Sequence, residues 1–244
     1  MEFNPLKSRS IFDSEKHDRL EKIFSRDALS QRLRFLSCVS CLQALGDSDE
    51  LISILKLAIE NSGDLGDIYE VLLQGYLFCG YPRAIESFFS LQEALSSIDD
   101  LDPGNYTPRH FEPSESLLER GIETHRTVHG TNFEKMRNKI SALCPDLGYL
   151  MIAEGYGHIL SRGDLELKAR ELAVVSSITA IDSDRQLNSH IRGCRNVGCE
   201  DIEIYESIFT GLLWLPAERV EGSLEVWSKI TGSVLSESTD DYKK

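Results

Sequence analysis

In the second half of the chain Glu171 is followed by Ser183, Gln186 and His190, an order that sets a carboxylate and an imidazole on either side of a helix break. Helical periodicity runs through Glu171, breaks at Asp182-Ser183-Asp184, and resumes in a stretch that carries His190, with Asp182 or Ser183 as the natural N-cap. A helix hairpin of this kind sets a carboxylate on one arm against an imidazole on the other. The carboxylate then orients a ring able to exchange a proton near neutral pH. The same pair has a plainer use, as a hydrogen bond that locks the hairpin. Other reactive residues lack such a partner. Cys38-Val39-Ser40-Cys41 falls mid-helix, without the helix-start environment that lowers a thiol pKa, so core packing is expected of it. Cys194, one turn after His190, is read the same way. His125 and His129 have the i, i+4 spacing of a two-histidine metal site beside Glu119 and Glu123. No third ligand is identifiable, and an exposed amphipathic helix is the preferred reading; no metal and no cofactor are expected.

The elements that must position the pair come from a duplication. The segment from Arg34 to Ser87, advanced by 136 positions without a gap, lies on Arg170 to Ser223. Identities include Arg34/Arg170, Val39/Val175, Ser40/Ser176, Leu51/Leu187, Ile68-Tyr69-Glu70 on Ile204-Tyr205-Glu206, and Arg83/Arg219. Such self-similarity at a fixed period marks a repeat architecture. Apolar residues recur at helical spacing over 28–45, 49–61, 65–78 and 83–95 and over their counterparts, while alternating strand patterns are nearly absent. The expected fold is all-α, a tandem repeat of a helical-hairpin domain. Residues 1–95 form the first repeat, 96–116 a Pro- and Asp-rich connector, 117–235 the second repeat, and 236–244 a frayed tail. Gly63 and Gly198 each stop a helix before an acidic start of the next. Phe35 and Ile54 occupy the first-copy positions of Glu171 and His190, so the first repeat is expected to be structural and the second to carry the site.

Composition narrows the partners. A formal net charge of −14 and a pI near 4.9 set a field that repels phosphate backbones, which argues against nucleic acid and anionic membranes. No run approaches the roughly 18 apolar residues of a membrane span, and the start Met1-Glu2-Phe3-Asn4-Pro5 lacks the pattern of a signal peptide, so no membrane association is expected and the cytoplasm is the expected location. Six cysteines in apolar helical surroundings fit reduced, structural thiols.

The stretch from Leu160 to Ile208 resembles the carboxymuconolactone decarboxylase family, whose all-helical fold is shared with the alkylhydroperoxidase D-like proteins. The matching pieces are Ser161-Arg162-Gly163-Asp164-Leu165, Arg170-Glu171-Leu172, His190-Ile191-Arg192-Gly193, Asn196-x-Gly198 and the acidic helix start before Glu203-Ile204. The resemblance covers about 120 to 230 well and about 30 to 95 faintly. The peroxidase branch of the family carries a glutamate, a CxxC pair and a histidine. Glu171 and His190 stand at the matching positions, but Ser183 and Gln186 stand where the attacking and resolving thiols belong, which disfavours peroxiredoxin-type activity. The decarboxylase branch implies a cofactor-independent lyase acting on a small lactone or carboxylic acid. His190 then serves as acid or hydrogen-bond donor, Glu171 orients it, and Arg192 or Arg162 clamps a carboxylate. Residues two apart on a helix do not share a face, so His190 and Arg192 are not expected to serve one pocket in one subunit. The resemblance also implies a homo-oligomer, a trimer of two-repeat chains, that takes a small-molecule ligand. The alternative is a non-catalytic oligomeric scaffold or binding protein of the same fold.

Overall fold

The computed structural model describes residues 11–62, 64–98 and 116–234; Gly63, most of the connector and the tail fall outside them. Among the described residues there is no strand, and no helix is long and apolar enough to cross a membrane. After α1 (Ser14–Phe24), the first repeat runs α2 (Gln31–Leu45), α3 (Ser48–Ser62) and α4 (Leu65–Ser96). The second repeat opens with α5 (Leu117–His129), a 3₁₀ turn, α6 (Phe133–Leu143), α7 (Pro145–Leu150) and a π-helix (Met151–Leu160). It then runs α8 (Leu167–Ile181), α9 (Asp184–Asn196), α10 (Asp201–Phe209), a 3₁₀ turn and α11 (Ala217–Thr231).

The offset seen in the sequence holds in three dimensions. α2 and α8 begin 136 residues apart and each stops on a left-handed residue, Gly46 at φ 72° and Asp182 at φ 60°. Aspartate tolerates that conformation better than most side chains do. The guanidinium of Arg219 bonds the Thr179 carbonyl and the Asp182 carboxylate at the end of α8. Its repeat mate Arg83 lies against Gly46 at the end of α2. α4 corresponds to α10, its 3₁₀ turn and α11 joined together, and it kinks at Gly80 (φ 83°), two residues before Pro82.

α2 and α8 pack on each other at the centre of the molecule and are buried on nearly every side, which explains why neither reads as an amphipathic stripe. Two arginine–glutamate–arginine triads fasten the two repeats reciprocally, α8 to α4 and α2 to α10. Arg170 and Arg162 of the second repeat hold Glu70 of the first, at 2.6 and 2.7 Å. Arg34 and Arg26, their counterparts 136 residues earlier, hold Glu206 of the second, at 3.0 and 2.6 Å. Each repeat thus supplies the arginines for the other's glutamate, as a pseudo-twofold relation requires. Burial pushes the Glu70 carboxyl up, but the hydrogen bonds from Arg162 and Arg170 outweigh it and hold the group below its usual range.

At the head of the second repeat, α5 and the π-helix touch backbone to backbone. A Cβ on Gly121 would collide with the Ile152 carbonyl, and one on Gly157 with that of Leu117, so glycine is required at both crossings. This contact brings α5 and the π-helix over the α8–α9 hairpin, where the polar residues collect.

Candidate functional site

Glu171 is fully buried on α8 and His190 is 6% exposed on α9, with the imidazole Nδ1 2.9 Å from the carboxylate Oε2. An ionised carboxylate only accepts, so Nδ1 carries the proton and Nε2 the lone pair. Nε2 has no hydrogen-bond partner among the described residues and is not sealed from solvent. The Phe78 ring of the first repeat meets His190 edge-on at 5.6 Å, so both repeats shape the reactive edge. Gly193, one turn after His190, gives the carboxylate its room: a Cβ there would sit 2.8 Å from Glu171 Oε2 and 2.9 Å from Val128. Asn196 donates to the Val128 carbonyl at 2.8 Å and Gly198 turns the chain at φ 88°, tying the end of α9 to α5.

The Glu171 oxygen facing away from His190, Oε1, is buried without a partner. Around it lie groups that the sequence did not bring to the site. His125 and His129 are buried, not on an exposed face, which corrects the amphipathic-surface expectation. Gly121, Thr124, His125, Val128 and His129 form the buried stripe of α5, while Glu119, Glu123 and Arg126 face solvent. The signal was present in the helical phase that the histidines share with Gly121 and Val128. Their rings lie 4.2 Å apart, and His129 Nε2 is 2.7 Å from the hydroxyl of Tyr156, supplied by the π-helix. Neither nitrogen of His125 has a partner. Burial lowers His125 to about 3, helped by the neighbouring His129. It lowers His129 to about 4, with His190 adding to the shift and Glu171 opposing it. Both are therefore neutral at pH 7. Burial and the Glu171 carboxylate push the Tyr156 hydroxyl well above its usual range, so it remains a neutral donor.

The two arginines proposed from sequence lie apart from this cluster. Arg162 gives its guanidinium to Glu70, with Asp164 at 3.7 Å, so its carboxylate-binding capacity is directed to the triad. Arg192 is exposed, donates to Asn188 at 3.3 Å, and lines a cleft of about 670 Å³ together with His129, Asn188 and Ser189. Ser183 is half-buried and Gln186 exposed at the start of α9, and no thiol stands there. Burial pushes the thiols of Cys38 and Cys194 well up and that of Cys41 up to about 12, which keeps all three protonated and unreactive at neutral pH.

A sequence profile of the carboxymuconolactone decarboxylase family matches residues 18–93 and 145–227. The chain belongs to the carboxymuconolactone decarboxylase family. The two matched stretches fall on the two repeats and contain Glu171, His190, Arg162 and Arg192. They leave out α5 and α6, and with them His125 and His129. Over 162 residues the chain is also 25% identical to "Peroxisomal protein 2" of Saccharomyces cerevisiae, a similarity covering 57% of this chain and 56% of that protein's length.

Proposed function

We propose that the chain is a cofactor-independent decarboxylase or related lyase acting on a small lactone or carboxylic acid, with His190 as the catalytic acid and Glu171 as its positioning residue. The observation that carries this reading is the unpartnered Glu171 Oε1. A hairpin lock gains nothing from a buried carboxylate oxygen left unsatisfied, which costs about 1–3 kcal/mol. A proton-transfer site gains a fixed negative charge that stabilises the imidazolium. In the reaction, His190 Nε2 first takes a proton from solvent, the bond to the departing carboxylate then breaks with release of carbon dioxide, its electron pair flows into the conjugated lactone carbonyl, and the resulting carbanionic carbon takes the proton from Nε2. Glu171 holds the cation until that transfer, and Arg192 binds a carboxylate at the cleft.

The scaffold reading has one observation in its favour: Asn188, Ser189 and Arg192 line the cleft, whereas His190 itself does not. Turnover decides between them. Lactone carboxylic acids incubated with the chain in D₂O and followed by NMR are expected to lose the carboxylate and gain deuterium at that carbon. His190→Gln is expected to abolish the exchange with the fold intact, a loss of at least about 100-fold. Absence of turnover across the panel, or retention of it in the variant, would remove His190 from the chemistry.

We propose further that the active form is a trimer of two-repeat chains. Tyr81, Ile85 and Phe89 make an i, i+4, i+8 stripe on α4 exposed by 62, 52 and 60%, and light scattering in solution reads the assembly directly. Six free thiols fit a reducing compartment, and we take this to be the cytoplasm. Imaging of a tagged chain separates that location from the peroxisome, the compartment in the yeast relative's name.

A further inference from the structure

The cleft bordered by Arg192 has a charge opposite to that of the molecule. Lys135 and Lys139 line it one turn apart on α6, Arg185 and Arg192 two turns apart on α9, and Lys229 on α11. Asp184 is the single carboxylate among the lining residues. Lys229 also reaches the exposed Glu225 at 3.5 Å. Among the described residues, no carboxylate lies within ion-pair reach of Lys135, Lys139, Arg185 or Arg192, although the chain holds 40 acidic residues against 26 basic ones. Five cations converging from three helices repel one another, and in an acidic protein the cheapest relief would be a neighbouring glutamate or aspartate. Only Asp184 and, beside Lys229, the exposed Glu225 are supplied. The cleft is of the size that small-molecule sites have. Asn132, Asn188 and Asn196 add neutral hydrogen-bonding groups to its walls.

We propose that this cleft binds a small molecule carrying a diphosphate. Five positive side chains, less Asp184 and the Glu225 beside Lys229, leave three, which matches the three to four charges of a diphosphate group better than the one or two of a simple carboxylic acid. Guanidinium forks and ammonium points are the usual ligands of such oxygens. His129 also lines the cleft, and its ring is bonded to Tyr156 and lies within electrostatic reach of Glu171 and His190. A ligand anchored by its diphosphate therefore shares the cleft with His129, the lining residue coupled to the acid/base pair. The anchor stands on the cleft alone; that its occupant is also the substrate rests on the catalytic reading of His190. Lys135 and Lys139 stand on α6, outside the stretches matched to the family, whereas Arg185 and Arg192 stand inside them.

Calorimetric titration of the full chain with inorganic pyrophosphate, against succinate as a dicarboxylate control, tests the assignment. Lys135→Gln/Lys139→Gln alters two exposed side chains and leaves the core untouched. Pyrophosphate is expected to bind wild type, to bind the double variant about tenfold or more weakly, and to lose affinity as salt rises. Binding is expected to persist in His190→Gln, so loss of the catalytic reading and loss of the anchor are separately visible. Absence of pyrophosphate binding, unchanged binding in the lysine variant, or succinate bound as tightly as pyrophosphate would overturn the proposal.

Discussion

Glu70→Gln is expected to lower the unfolding free energy by about 3–5 kcal/mol, the penalty for removing one partner of a buried ion pair. The substitution keeps the volume and one acceptor but removes the charge facing Arg170, which is fully buried, and Arg162, whose side chain is 8% exposed. Neither guanidinium can be neutralised, so each keeps its charge in the core. Because Glu70 belongs to α4 of the first repeat and both arginines to the second, the damage falls on the seam between α4 and α8. The repeats are therefore expected to unfold together, with the urea midpoint shifted and the slope unchanged. Glu206→Gln breaks the reciprocal triad and is expected to cost somewhat less, since Arg26 is 18% exposed and can turn toward water. A loss below about 1 kcal/mol in both variants would mean that the triads do not hold the repeats together.

Acid is expected to unfold the chain through His125 and His129. Their folded values, about 3 and about 4, lie below the ordinary 6.5, so the unfolded chain takes up protons that the folded chain refuses. The stability tied to these groups is fully present above pH 6.5 and drains away as the pH falls toward their folded values. A depression of this size corresponds to roughly 3 kcal/mol for His129 alone, a large share of the stability of an ordinary domain. Far-UV circular dichroism is expected to show a cooperative loss of helix as the pH approaches 4, well before carboxylate titration is complete. His125→Phe removes a ring with two unpartnered nitrogens from a site walled by Phe133, Tyr156 and His129. It is expected to move the transition to lower pH, and an unmoved transition would exclude the histidines as its cause.

Much of this architecture was legible in one sequence because the chain repeats itself. The shared period, the helix breaks and the replacement of Phe35 and Ile54 by Glu171 and His190 are local facts, and the structure sets both apolar residues in the core of the first repeat. The triads were visible only in part. Arg34/Arg170 and Glu70/Glu206 stand out as identities between the copies, but their bonds cross from one copy to the other, which no comparison within a copy reveals. For the same reason Arg162 read as a free anion clamp, its partner lying 92 residues away. His125 and His129 were misplaced because nearby glutamates suggested a wet helix, whereas burial is set by the phase they share with Val128. Tyr156 gave no signal, since its role depends on a π-helix pressed onto Gly121.

The central claim is that Glu171 and His190 are kept for chemistry and not for stability. An apolar replacement of His190 alone would remove the donor to Glu171, which His190→Gln keeps, and would destabilise the fold under either reading, so for a stability test the pair must be replaced together. The decisive measurement is the unfolding free energy of Glu171→Leu/His190→Ile, which gives the second repeat an apolar pair like that of Phe35 and Ile54. If the pair serves the reaction, the double variant is as stable as wild type or more so, by about 1–3 kcal/mol, because an unsatisfied buried carboxylate has been removed. If it melts well below wild type, the hydrogen bond between α8 and α9 is a structural lock, and the catalytic reading is contradicted.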